Sequence, residues 1–115
     1  MHIDSYLFGG IEVDGKPYTK DVILVAGEVV SPWWRDAGGH VFAPADLQIV
    51  IDGSPEAVVL GTGFFGMVKV REETLAAFAA CGTRVVVEKT RQATAVFNSL
   101  NADGVDVAAA LHLTC

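Results

Sequence analysis

The stretch "RVVVEKTRQATAVFNSLNADGVDVAAALHLTC", residues 84–115, decides the fold. It opens with an apolar run typical of a buried strand, and a second such run follows the turn "NADG". The residues between the runs have helical periodicity, and Thr90 is the expected N-cap. One face of this helix is apolar: Ala93, Val96, Phe97 and Leu100. A strand, a helix and a strand in this order predict a right-handed crossover between parallel strands.

The same alternation occupies the residues before this stretch. "EAVVL" (56–60) predicts a buried strand, and "REETLAAFAACG" (71–82) predicts a helix that ends at Gly82. "PADLQIVIDG" (44–53) predicts a shorter helix that ends at Gly53. The second half of the chain therefore contains a βαβαβ arrangement.

The first third of the chain is rich in residues that favour strands. Two β-rich runs, "YLFGGIEV" (6–13) and "KPYTKDVILVAGEVV" (16–30), flank the Asp14-Gly15 pair. Asp-Gly between such runs is a strong signal for a hairpin, because glycine adopts the positive φ that the turn requires. We therefore predict one α/β domain over residues 1–115, layered, with an N-terminal β-hairpin, a βαβαβ unit and a mixed central sheet.

Composition excludes several classes of function. The formal net charge of −6 disfavours binding to a nucleic-acid backbone. Cys81 and Cys115 form no C-x-x-C pair, and with His40 and His112 they show no metal-ligand spacing, so we predict no metal site and a reducing cytoplasm. No apolar run reaches the ~20 residues of a membrane span, so no membrane association is expected. The hydrophobic content of 51% favours a protein partner or a homo-oligomer.

The motif "GTGFFG" (61–66) matches the dinucleotide-binding spacing G-x-G-x-x-G. That site needs a helix to begin at the third glycine, because the pyrophosphate rests on the N–H groups of the first helical turn. Here Val68 and Val70 alternate with Lys69 and Arg71, which is the period of a strand. We therefore interpret Gly61, Thr62 and Gly63 as a structural turn, and we predict no bound cofactor.

Two further stretches contain candidate binding residues. Lys69 and Arg71 follow the glycine motif, where free backbone N–H groups and positive charge would suit a small anion; solvated surface charge is the alternative. "WWRDAGGH" (33–40) holds Trp33, Trp34 and Arg35, which are residue types common in binding hot spots. Asp36 and His40 would form an acid–base pair if the Gly-Gly turn brings them together. The alternative is that one tryptophan packs on the sheet and the charges are solvated.

His112 is a candidate binding residue near the end of the last strand. A single histidine in such a position is more often hydrogen-bonded and structural than catalytic. Cys81 is expected to be a small buried apolar residue. The spacing of the sequence reveals no set of nucleophile, base and orienting group, so we predict no catalytic residues and do not expect an enzyme.

Several segments together resemble the Mth-type domain family, which includes the adipogenesis-associated domain protein and a mitochondrial complex I assembly factor. They extend over nearly the whole chain: "YLFGGIEVDGKPYTKDVIL", "WWRDAGGH", "VVLGTG", "TRQATAVFNSLNADG" and "AAALHLTC". The resemblance implies a layered α/β domain with a mixed central sheet and a small additional β element. It implies no catalytic set, because the family as a whole has no established activity. The matching positions are Trp34, Arg35, His40, Gly61, Thr62, Gly63, Thr90, Asn98 and His112.

These observations lead to two hypotheses of function. The first is a non-catalytic cytoplasmic domain that binds a protein partner or itself, in line with the assembly-factor branch of the family. The second is a small-molecule binding protein or enzyme, with its site for an anion or nucleotide at residues 61–66 beside Lys69 and Arg71. We call residues 61–66 the glycine loop. A cleft that joins this loop to His40 or His112 favours the second hypothesis, and a loop filled by other residues of the chain favours the first.

Overall fold

A five-stranded mixed sheet forms the centre of the protein, which is described here by a computed structural model for residues 1–35 and 40–115. In chain order the strands are β1 (Ile3–Leu7), β2 (Gly10–Val13), β3 (Lys16–Tyr18), β4 (Val22–Val25), β5 (Glu28–Val30), β6 (Val41–Phe42), β7 (Ala57–Gly61), β8 (Lys69–Val70), β9 (Arg84–Glu88) and β10 (Val107–Leu111). A 3-10 turn, Pro44–Leu47, leads into α1 (Gln48–Gly53); the longer helices are α2 (Glu72–Ala80) and α3 (Thr90–Ala102).

The central sheet has the spatial order β5-β4-β10-β7-β9. Strands β10, β7 and β9 are parallel, whereas β4 runs antiparallel to β10 and β5 runs antiparallel to β4. Helices α2 and α3 supply the crossovers between the parallel strands. The predicted α/β class, βαβαβ unit and mixed sheet are confirmed.

The continuous apolar runs of β7 and β10 are explained by cover on both faces of the sheet. The prediction of a buried strand at 84–88 was wrong, because β9 lies at the edge of the sheet and its residues are half-buried or exposed. On one face Val59 and Ala109 pack with Phe97 of α3 and with residues of the N-terminal strands. On the other face Val58 and Leu60 pack with residues of helices α1 and α2. Every residue of β7 is buried, so this strand lies at the centre of the layered core.

The N-terminal strands form a separate three-stranded sheet in the order β1-β2-β3. Asp14 and Gly15 have φ of 49° and 79°, which confirms the predicted hairpin turn between β2 and β3. Each β-rich run contains more than one strand, because further turns interrupt it: Phe8-Gly9 in the first run, and Ala26-Gly27 in the second.

Helix α3 is joined to the outer strand of this small sheet by one side chain. The Asn98 side chain accepts a hydrogen bond from the Ile3 N–H at 2.9 Å and donates one to the Ile3 carbonyl at 2.8 Å.

None of the helices in the described ranges is long and apolar enough to cross a membrane.

Candidate functional site

The glycine loop leaves the end of β7 and does not lead directly into a helix. Residues 69–70 form the short strand β8, which pairs with β6, and α2 begins only at Glu72. The first turn of α2 carries Glu72 and Glu73, whose charges would repel a phosphate. The predicted extended segment after Gly66 is confirmed, and the helix N-terminus that a dinucleotide site requires does not follow the third glycine.

The space that Gly63 leaves open is occupied by the chain itself. Gly63 has a φ of +107°, and a Cβ atom there would lie 2.5 Å from the carbonyl carbon of Cys115 and 2.9 Å from the Thr114 oxygen. Phe64 N–H donates to the Thr114 carbonyl at 2.6 Å, and Met67 N–H donates to the Cys115 carbonyl at 3.1 Å. The loop is therefore filled by residues 114–115.

Thr90 connects this loop to the residue that follows β10. Its hydroxyl donates to the His112 carbonyl at 2.6 Å and accepts from the Gly63 N–H at 2.9 Å. The N-cap of α3 is Lys89, so the prediction that Thr90 caps this helix was wrong. The Thr90 side chain is fully buried, and its two hydrogen bonds connect the loop after β7 to the end of β10.

A buried polar cluster lies at the same edge of the sheet, where β7 and β10 end and β4 begins. The Asp21 Oδ2 atom lies 2.7 Å from Arg35 Nη1 and 2.7 Å from His112 Nδ1. The other oxygen of Asp21 accepts a hydrogen bond from the Leu113 N–H at 2.8 Å. His112 is buried and hydrogen-bonded, as the sequence led us to expect.

The hydrogen bonds to Asp21 keep its carboxyl group ionised and fix which ring nitrogen of His112 faces it. Burial would raise the pKa of Asp21, but hydrogen bonds from His112, from the Leu113 N–H and from Arg35 outweigh it, so the pKa lies below its ordinary value of 3.8. The carboxylate can only accept, so His112 donates from Nδ1, and Nε2 is the ring nitrogen that faces away from Asp21. The Nε2 atom lies 3.3 Å from the Thr114 hydroxyl oxygen.

The three adjacent candidates Trp33, Trp34 and Arg35 have different environments. Trp33 is buried and donates from Nε1 to the Asp46 carbonyl at 2.9 Å. The Arg35 side chain is 5% exposed, and its guanidinium lies 4.9 Å from the Trp33 ring centre. Trp34 is 72% exposed. Of the three, Trp34 is therefore the one available for contact with another molecule.

These residues border a cleft of about 390 Å³. Its lining is formed by Thr19, Lys20, Asp21, Trp33, Trp34, Arg35, His112, Leu113 and Thr114. The lining includes His112 and does not include Gly61, Thr62 or Gly63. The predicted pair of Asp36 with His40 lies outside the described residues, since Asp36 is not among them.

His40 and Cys115 lie beside His112 although they are far apart in sequence. The rings of His40 and His112 meet edge to face with centres 6.2 Å apart. One ligand-type atom from each of His40, His112 and Cys115 lies within 4.8 Å of the others. His40 is exposed, Cys115 is half-buried and His112 is buried. The linear spacing of these residues gives no sign of this proximity.

Lys69 and Arg71 are both exposed beyond the glycine loop. Their backbone N–H groups donate to His40 and Phe42 carbonyls respectively, as part of the pairing with β6. Within the loop, the N–H groups of Gly63 and Phe64 already donate to protein acceptors. These four backbone N–H groups are therefore used within the protein and are not available to an anion.

An exposed aromatic cluster lies on the outer side of the glycine loop. We call Phe8, Phe64 and Phe65 the aromatic patch; their ring centres are 5.0 to 6.2 Å apart. Phe8 is 54% exposed and Phe65 is 61% exposed. Arg91 lies over the Phe64 ring at 5.7 Å. Nothing in the sequence associates Phe64 and Phe65 with Phe8, because the ring contacts depend on the tertiary fold.

Cys81, at the end of α2, was expected to be buried, but it is half-buried. A hydrogen bond with Thr83 lowers the pKa of its thiol. Cys81 packs with the apolar cluster on the α2 side of the sheet and does not line the cleft.

Comparison with known proteins identifies the family. The model of a family described as "Protein of unknown function (DUF498/DUF598)" matches residues 3–112. A conserved hypothetical protein from Pyrococcus horikoshii OT3 is 22% identical over 100% of both chains, with a TM-score of 0.86. A protein from Bordetella parapertussis is 26% identical over 97% of this chain and 94% of its own, with a TM-score of 0.80.

A protein from Bordetella pertussis described as an Mth938-like domain has the same fold. It is 22% identical over 97% of this chain and 85% of its own, with a TM-score of 0.71. These similarities confirm the resemblance to the Mth-type family that the sequence motifs indicated. The chain belongs to the DUF498/DUF598 family of unknown function and has the Mth938-like fold.

Proposed function

We propose that the protein is a non-catalytic protein-binding domain of the cytoplasm and that the aromatic patch is its contact surface. The observation that carries this proposal is the pair of large aromatic side chains, Phe8 and Phe65, that are more than half exposed on neighbouring turns. Met67, from the same loop, is 52% exposed. Aromatic residues and methionine are enriched at protein interfaces, and burying one such side chain stabilises a complex by roughly 1.5–3 kcal/mol.

The backbone that carries the patch is held in place before any partner arrives. Gly9 N–H donates to the Leu113 carbonyl at 2.8 Å, which fixes the turn beside Phe8. Phe64 N–H is bonded to Thr114, which fixes the glycine loop. Little conformational entropy would then be lost on binding, and preorganisation of this kind raises affinity.

The charges around the patch indicate the chemistry of the partner. Arg91 lies over the Phe64 ring, and the Lys89 side chain packs beside Gly66. These cations border the patch in a chain with a formal net charge of −6. We therefore expect a partner segment that places apolar side chains next to carboxylates, because complementary charges speed association and exclude other partners.

The filled glycine loop favours this proposal over the small-molecule hypothesis. The backbone of Thr114 and Cys115 takes the position that a pyrophosphate would need near Gly63. The cleft beside His112 is lined by other residues. A second copy of the chain is the alternative partner, and the experiment below separates the two.

The proposal is tested by capturing partners from an extract of the native host with the tagged protein and quantifying them by mass spectrometry. We expect Phe65→Ser to reduce capture of the specifically enriched protein at least tenfold, as for a residue at the centre of an interface. Ile49→Ser is the matched control, because Ile49 is also about half exposed but lies on α1 rather than on either turn. Trp34→Ser tests whether the cleft contributes to the same contact.

Binding of the enriched protein is then measured with purified components, and sedimentation of the protein alone measures self-association. If Phe65→Ser binds the partner as well as Ile49→Ser and the wild type do, the patch is not the contact surface. If Phe65→Ser instead converts a dimer to a monomer, the partner is a second copy of the chain.

A further inference from the structure

The geometry points to a binding site for a zinc-class divalent metal ion formed by His40, His112 and Cys115. This inference does not depend on the aromatic patch. Within residues 1–35 and 40–115, one ligand-type atom from each of these side chains lies within 4.8 Å of the other two. Two imidazoles and a thiolate make a donor set that suits Zn²⁺ and does not suit Mg²⁺ or Ca²⁺, which prefer oxygen.

The separation of the three groups is close to that of a formed site. With Zn–N of about 2.0–2.1 Å and Zn–S of about 2.3 Å, tetrahedral ligand atoms lie roughly 3.4–3.6 Å apart. The ligand atoms therefore need to approach one another by at most about 1.2–1.4 Å. His40 is exposed, so its side chain is the one with room to move.

Asp21 prepares His112 for this role. The carboxylate accepts a hydrogen bond from Nδ1 at 2.7 Å, so Nε2, on the opposite side of the ring, is the nitrogen that remains for a metal ion. A carboxylate behind a metal-binding histidine fixes the tautomer and orientation of the ring and makes it a better ligand. The charge of the carboxylate is also shared with Arg35, whose Nη1 lies 2.7 Å from the same oxygen.

The glycine loop positions Cys115. The Cys115 carbonyl accepts a hydrogen bond from Met67 N–H, and its backbone packs where Gly63 has no side chain. The backbone of the cysteine is therefore fixed on the same strand end as His112, and the side chain reaches the two histidines from there. The motif "GTGFFG" thus contributes to a metal site by holding a ligand residue, without itself contacting the ion.

Three protein ligands leave one of the four tetrahedral positions of Zn²⁺ for water or for a group from another molecule. His112 and Thr114 belong to the lining of the 390 Å³ cleft, so the site lies at its border. The class of ligand proposed is therefore a borderline-soft transition-metal ion held by two nitrogens and one sulfur.

The test is titration of the reduced, chelator-stripped full chain with Zn²⁺ by calorimetry, followed by absorption spectroscopy with Co²⁺ as the probe. We expect one ion per chain and a thiolate-to-cobalt charge-transfer band. Cys115→Ser should abolish the band, and Cys115→Ser and His40→Ala should each weaken Zn²⁺ binding by at least about 100-fold, the upper end of the loss seen when a supporting residue is removed.

The chain supplies matched controls, because its remaining histidine and cysteine are His2 and Cys81. His2→Ala and Cys81→Ser should bind Zn²⁺ as the wild type does and keep the cobalt band. Far-ultraviolet circular dichroism of each variant without metal shows whether it is folded. Absence of Zn²⁺ binding, a cobalt spectrum without the thiolate band, or equal binding by Cys115→Ser and Cys81→Ser would overturn the proposal.

Discussion

Replacement of Gly63 by alanine tests whether the glycine loop is filled by the chain. The added Cβ would lie 2.5 Å from the Cys115 carbonyl carbon and 2.9 Å from the Thr114 oxygen. Both are backbone atoms, so the clash cannot be relieved by rotating a side chain. Residues 114–115 would have to move away from Phe64 and Met67, whose N–H groups donate hydrogen bonds to the carbonyls of these two residues.

The expected loss of stability has three contributions. A positive φ of +107° is strained for alanine, at a cost of roughly 1–2 kcal/mol. Overpacking against fixed neighbours costs typically about 1–3 kcal/mol. Alanine also restricts the unfolded chain, which returns roughly 0.4–1 kcal/mol. We therefore expect Gly63→Ala to lower the free energy of unfolding by about 1–4.5 kcal/mol.

Gly82→Ala is the control for the backbone effect alone. Gly82 has a φ of +78°, similarly in the positive region, but a Cβ there meets nothing within 4 Å. This change should cost only the strain of the positive φ, roughly 1–2 kcal/mol before the unfolded-state gain. The difference between the two variants measures the contact with residues 114–115.

The assay is equilibrium urea denaturation followed by fluorescence of the two tryptophans, with the midpoint and slope fitted for each variant. The slope should be the same in all three proteins, so that midpoints can be compared. If Gly63→Ala is no less stable than Gly82→Ala, the space at Gly63 is open, and the argument that the chain occupies it fails.

Three further predictions concern neighbouring residues. Thr90→Val removes the hydroxyl between the Gly63 N–H and the His112 carbonyl and should cost about 1–3 kcal/mol in urea denaturation; Thr94→Val, in the same helix but partly exposed, should cost less than about 0.5 kcal/mol, and equal losses would contradict the assigned role. Asp21→Asn, measured with chelator present, should lower stability at neutral pH. Because the pKa of Asp21 is lower in the folded than in the unfolded chain, the carboxylate stabilises the fold above the unfolded value near 3.8, and this contribution is lost as the pH falls through the folded pKa. The deficit of Asp21→Asn should therefore shrink below about pH 4, and a deficit that grows there would refute the assignment. In a thermal-shift screen, NAD(P), FAD and ATP should leave the melting temperature unchanged, whereas a ligand at 100 times its Kd would add about 2.7 kcal/mol and reopen the dinucleotide interpretation.

Much of the fold was predictable because local patterns specify it. The valines of β9 and the helical stripe that includes Phe97 lie within one short stretch of chain, so their periods are visible in the sequence. The Asp14-Gly15 turn was predictable for the same reason, since its chemistry is confined to two residues. The turn at Ala26-Gly27 was not predicted, because alanine rarely adopts a positive φ and is therefore not a sequence signal for such a turn.

The candidate site depends on contacts between distant parts of the chain. Asp21 and His112 are 91 residues apart, and neither has a neighbour in sequence that marks it as part of a cluster. Gly63 and Cys115 likewise meet only because β7 and β10 are adjacent parallel strands that end at the same edge. Residue type, motif spacing and the family resemblance identified His112, Trp34 and Gly63 as positions of interest, but their partners required the assembled sheet.

The two hydrogen bonds between the Asn98 side chain and the Ile3 backbone bear on aggregation of the protein at high concentration. Ile3 lies on β1, an edge strand of the small sheet. The unpaired backbone groups of an edge strand can form hydrogen bonds with a strand of another molecule and so begin an aggregate. Here a carboxamide from α3 satisfies both the N–H and the carbonyl of Ile3, as a peptide group of a neighbouring strand would. The small sheet is therefore closed at this point by a helix side chain, and another chain can extend it there only after displacing Asn98.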